Sequence, residues 1–128
     1  MTFRTPIAVL KSRGSSKEGA RAWMSLRLSS IALIPLCLWF LCALVCHFAE
    51  GASHAELLTW LKKPHNAFFT ILLIVTSYYH GFLGSKEIVE DYVHCSCLKH
   101  VAIIGKQLFY TFIAAATVFA VLSIYFKG

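Results

Sequence analysis

The sequence predicts an all-α integral membrane protein: a bundle of three transmembrane helices, N-in and C-out, with a basic N-terminal tail. Three observations predict it: the composition, three apolar runs of spanning length, and an uneven distribution of basic residues. Of the 128 residues, 58% are apolar and 14% charged, whereas an ordinary soluble domain has about 45–50% and about 25%. This excludes a typical soluble enzyme. It also excludes disorder, which needs low hydrophobicity, and the length allows one domain.

Residues 1–27 form the tail. Arg4, Lys11, Arg13, Lys17, Arg21 and Arg27 face a single acid, Glu18. A net charge of +6 can mark a nucleic-acid binder, but here the charge is concentrated just ahead of an apolar run. That placement predicts a cytoplasmic segment in contact with anionic lipid, and no nucleic acid. The basic stretch is too long for a cleavable secretory signal, and no A-x-A-like site follows the apolar run.

The anchor domain, residues 28–127, carries three apolar runs. Ile31 to Ala49 is interrupted only by Pro35 and His47, and predicts a helix over about 28–49. Ala67 to Leu83 contains Thr70, Thr76, Ser77 and His80, within a helix over about 66–90. Leu108 to Phe126 is uncharged and predicts a helix over about 101–126. At about 1.5 Å per residue each run reaches about 25–29 Å, close to the hydrocarbon thickness of about 30 Å. Only a helix satisfies its backbone within one such segment.

Lys and Arg counts set the expected orientation. With the N-terminus inside, the inner face holds the six basic residues of the tail plus Lys86, Lys99 and Lys106, against Lys62, Lys63 and Lys127 outside. The loop Glu50 to His65 then faces outward and Ser85 to His100 inward, with Trp60 and Tyr125 as interfacial anchors. Cys37, Cys42 and Cys46 are expected to be buried packing residues. Cys95 and Cys97 are too close in sequence for a usual zinc site without a second pair.

An ionisable group within a bilayer is expensive, so His80 is the residue to explain. One reading is structural: a neutral imidazole bonded to a Ser or Thr of a neighbouring helix. The others are an axial haem ligand or a proton relay. Gly81 and Gly84 would let a flat macrocycle approach, or would serve helix packing. Asp91 and Tyr92 follow eleven and twelve residues on. If the helix continues, eleven steps of about 100° bring Asp91 back to the face of His80, about 16 Å along the axis. A phenol and a carboxylate there suit a quinone headgroup, or an aromatic anchor beside a solvated charge. Arg27, at the start of the first helix, is a snorkelling anchor or a partner for carboxylates.

The run Tyr79-His80-Gly81 through Asp91-Tyr92-Val93 resembles the H-x₁₀-D-Y motif of the small hydrophobic membrane anchor of succinate dehydrogenase, respiratory complex II. Arg27-Leu28-Ser29-Ser30-Ile31-Ala32-Leu33-Ile34-Pro35-Leu36 is similar to the start of helix one in proteobacterial members. The resemblance covers about residues 17–127. It implies that His80 is the axial ligand of haem b, shared with a partner anchor, the cytochrome b protein of the complex. It also implies that Tyr92 hydrogen-bonds the ubiquinone carbonyl beside Asp91, and that Arg27 lies near the haem propionates. The other implied partners are the iron–sulfur and flavoprotein subunits, which bring electrons from succinate and so link the tricarboxylic acid cycle to electron transport. The chain itself would be non-catalytic, in a bacterial inner membrane. Two departures stand out. Arg21, Ala22 and Trp23 occupy a stretch where the family often has a His, and Ser29-Ser30 replaces the more usual Thr-Ala. The S-x-x-H-R pattern expected of the cytochrome b anchor is absent. The competing readings are a small three-helix pore, which would need a polar stripe along a helix, and a proton-relay subunit using His80 and Asp91.

Overall fold

The computed structural model describes residues 16–127, all helices and short links. In chain order these are α1 (Ser16–Phe48), α2 (His54–Leu61), α3 (Pro64–Tyr92) and α4 (Ser96–Phe126). Helices α1, α3 and α4 are long and apolar enough to cross a membrane. At 33, 29 and 31 residues they reach about 44–50 Å, longer than the hydrocarbon layer. The apolar runs are therefore the central parts of longer rods. Basic residues 21, 27, 86, 99 and 106 gather toward one end.

Each boundary has a local cause. After Phe48 the chain turns at Gly51, whose φ of 91° suits a residue without Cβ, and whose N–H reaches the Phe48 carbonyl at 3.2 Å. Ser53 then caps α2 with a capping box. Its hydroxyl accepts from Glu56 N at 3.4 Å, and its own N–H donates to the Glu56 carboxylate at 3.1 Å. Pro64 opens α3 at the first turn, where its missing N–H costs nothing. Only residues 93–95 separate α3 from α4, so the expected loop from Ser85 to His100 is largely helix. Inside α1, Pro35 withholds one backbone donor, yet the helix runs through it.

Helix α3 is the middle of the bundle. It packs against α1 on one side and α4 on the other, while α1 and α4 have at most marginal contact. The pairings run antiparallel. Ser29 of α1 meets His80, late in α3, while Trp39, further along α1, meets Phe69, early in α3. On the other side Tyr110 of α4 meets Tyr78 and Phe82, and Lys106 donates to the Ser85 carbonyl at 3.3 Å.

An aromatic cluster closes the end opposite the basic one. Trp60 of α2 stacks on Trp39 with centroids 5.7 Å apart, and meets Phe40 and Phe48 edge-on. Asn66 Nδ2 donates to the Trp60 carbonyl at 3.0 Å, tying α2 to the start of α3. Trp60 is therefore a core residue, 5% exposed, and not the interfacial anchor its position suggested. The seam that buries it runs along one face of α1, through Ser29 and Leu36 at a seven-residue spacing.

Little else is covered. In the most apolar stretch of each spanning helix only 11%, 11% and 6% is buried. Cys37, Cys42 and Cys46 are exposed, so they lie outside the helix contacts of this chain, contrary to the expectation that they pack within it. An apolar surface of this extent needs lipid or other protein against it.

Candidate functional site

His80 lies just past the middle of α3, with its ring half-buried against α1. Its Nδ1 is 2.8 Å from Ser29 Oγ. Ser29 is 6% exposed, and its hydroxyl also reaches the Leu26 carbonyl at 3.0 Å. The contact is the one the structural reading called for. It occupies only one ring nitrogen, so a ligand role for Nε2 is compatible with it.

The neighbouring glycines divide the two roles suggested for them. A Cβ on Gly81 would lie 3.3 Å from Tyr110 Cε1, so this glycine lets α4 approach α3. Gly84, one turn beyond His80 on the same face, has nothing within 4 Å of an added Cβ. A flat group bound at Nε2 would find open space there.

Because α3 is continuous from Pro64 to Tyr92, the eleven-residue spacing does place Asp91 on the His80 face, about 16 Å along the axis. Tyr92 is the last helical residue and 78% exposed, and Asp91 beside it is exposed too. The structure thus aligns His80 with Asp91 and does not bring them into contact. Arg27 is exposed, with its guanidinium 5.3 Å from the centre of the Trp23 ring. It lies two residues from Ser29, about 200° around α1, so its long side chain starts from the face opposite the Ser29–His80 contact.

Two residues emerge that sequence reasoning did not assign to a site. Ser29 entered only as a departure from Thr-Ala, although a hydroxyl among apolar residues is a signal in itself. Lys106 entered as a positive charge, and is in fact a bridge from α4 to the Ser85 carbonyl. Thr111, Thr117 and Ser123 follow each other at six-residue intervals, about 240° around α4, so they do not form a stripe. Thr117 donates to Ile113 O at 2.7 Å and Ser123 to Phe119 O at 2.8 Å, so each bonds back to its own helix. An apolar groove of about 450 Å³ lies between α3 and α4, lined by Tyr78, Tyr79, Phe82 and Tyr110 among others. None of the four expected site residues lines it.

A family model for the succinate dehydrogenase/fumarate reductase transmembrane subunit matches residues 1–123. The chain belongs to that family. Among its relatives, the succinate dehydrogenase hydrophobic membrane anchor subunit of Rickettsia bellii is 33% identical over 120 residues, 93% of this chain and 94% of the relative. The proteins of that name from Rickettsia typhi and Paracoccus denitrificans are 31% and 29% identical. They cover 84% and 94% of this chain, and 84% and 91% of their own lengths. Within this transmembrane-subunit family, the three spanning helices and the bare bundle faces are what an anchor requires.

Proposed function

We propose that the chain is the membrane-anchor subunit of a succinate:quinone oxidoreductase in a bacterial inner membrane, with its N-terminus inside. It has no succinate site of its own. The iron–sulfur and flavoprotein subunits dock at its basic end, and the cytochrome b anchor covers part of the exposed bundle. The observation that carries this reading is His80: an imidazole within a helix of spanning length, bonded at Nδ1 and with no hydrogen-bond partner at Nε2 among the described residues, in a chain of this family.

The residues present fit a haem b. Nε2 of His80 would hold the iron, the open side of Gly84 would leave room for the macrocycle, and the cytochrome b anchor would supply a second ligand. Bound there, the haem would provide a one-electron store beside the quinone site. Arg27 would pair with the propionates if its side chain left Trp23, since a guanidinium binds a carboxylate through two parallel bonds. Tyr92 donates its hydroxyl to a ubiquinone carbonyl at the basic end. Asp91 supports proton delivery there from the adjacent aqueous phase. Both stand exposed on this chain alone, consistent with a site completed by other subunits.

The test is a dithionite-reduced minus oxidised spectrum of the complex purified through a tag on this chain. A b-type signal with flavin and iron–sulfur partners, lost in His80→Ala, is the expected result. Absence of haem and partners, or an unchanged haem spectrum in His80→Ala, would overturn the reading. The pore alternative is disfavoured because Thr111, Thr117 and Ser123 point to different sides of α4 and form no polar stripe along it.

A further inference from the structure

We infer that Ser29 is a positioning residue that fixes the tautomer of His80 and sets the potential of the haem this histidine would hold. The inference rests on the haem reading above.

The argument is one of proton counting. Ser29 Oγ has one proton and two lone pairs. It lies 3.0 Å from the Leu26 carbonyl and 2.8 Å from His80 Nδ1. A carbonyl oxygen can only accept, so both contacts are hydrogen bonds together only when the hydroxyl proton goes to Leu26. The contact with Nδ1 is then a hydrogen bond only if Nδ1 carries the proton and donates it to Oγ. That leaves the lone pair on Nε2, the nitrogen on the far side of the ring from α1.

Position adds to this. Ser29 is 6% exposed and sits on the α1 face that packs against α3, so water has little access to replace it. Donation to Leu26 O polarises the hydroxyl and makes its oxygen a better acceptor. A stronger pull on the Nδ1 proton raises the basicity of Nε2, as outer partners of metal-bound histidines do. A more basic ligand favours the ferric over the ferrous state. The helix-one serine is therefore an electronic partner of the helix-three histidine, in addition to packing against it.

The experiment is a redox titration of the haem in the purified complex carrying Ser29→Ala, Ser29→Thr or Ser29→Cys, with electron paramagnetic resonance of the ferric form. Ser29→Ala is expected to weaken the ferric preference by up to about tenfold, a rise of about 59 mV for a one-electron couple. Ser29→Thr, which keeps the hydroxyl, should restore the wild-type potential. An unchanged potential and ferric signal in Ser29→Ala would overturn the inference, as would a Thr variant behaving like Ala. If Ser29→Ala holds no haem, the near-isosteric Cys decides. A raised potential from its weaker acceptor supports the role, and a wild-type potential refutes it. Haem lost in His80→Ala with Ser29→Ala unchanged removes this inference alone; haem retained in His80→Ala removes the reading beneath it.

Discussion

Gly81 and Tyr110 set the distance between α3 and α4: the tyrosine ring edge lies 3.3 Å from where a Cβ on Gly81 would stand. Gly84, three residues later, faces open space. The same substitution at the two positions should therefore have different consequences. Alanine brings about 1 kcal/mol of helix propensity at either, but forcing a methyl into a packed contact costs about 1–3 kcal/mol. Gly81→Ala is expected to lose about 1 kcal/mol net, read as a lower melting midpoint in detergent. Gly84→Ala should melt no earlier, and should lower the haem-to-protein ratio if the macrocycle lies against that face.

Tyr92→Phe removes one exposed hydroxyl and leaves the helix end intact. A hydrogen bond worth roughly 1–1.5 kcal/mol corresponds to about a tenfold loss of quinone reductase activity. Succinate oxidation with an artificial dye, which bypasses the anchor, should stay at the wild-type rate. Equal loss of both activities would point to failed assembly instead.

Trp60 holds α2 against α1 through three aromatic contacts. Trp60→Ala should cost roughly 3 kcal/mol, the usual range for a large-to-small change in a packed site. Trp60→Phe should recover most of it. Protease cleavage in the α1–α3 connection would report the loss directly, and an uncleaved alanine variant would show that the cluster is not what holds this segment.

Ser53→Ala removes the capping-box bond that the hydroxyl accepts from Glu56 N and keeps the backbone N–H bond to the Glu56 carboxylate. About 1 kcal/mol is expected, seen as faster amide exchange confined to residues 53–57. Protection unchanged there would mean that Trp60, and not the cap, decides whether α2 forms.

The three spans were legible because an apolar run of about 20 residues has few other physical solutions. Their C-terminal ends came within two residues, but the starts of α1 and α4 did not, because residues 16–27 and 96–100 lack the uniform apolarity that betrays a span and become helical as extensions of it. The short helix α2 was hidden for another reason: eight residues give little periodicity, and its cue was Ser53 followed three residues later by Glu56. Trp60 misled because tryptophan near a span end is usually an anchor, and only its partners Trp39 and Phe48 reveal a core. At the site, the His80–Asp91 alignment followed from spacing once the helix was continuous. The Ser29–His80 bond could not follow, because it pairs residues 51 apart whose register is fixed by packing between helices.

A row of helices one layer thick, with α3 between two neighbours that scarcely meet, encloses nothing. Most of its apolar surface serves no internal contact, so folding alone does not give this chain a finished exterior. Its lifetime in a cell should then be governed by stoichiometry: copies made in excess of their companions would remain unclad and be the first substrates of membrane proteases, while matched copies would persist.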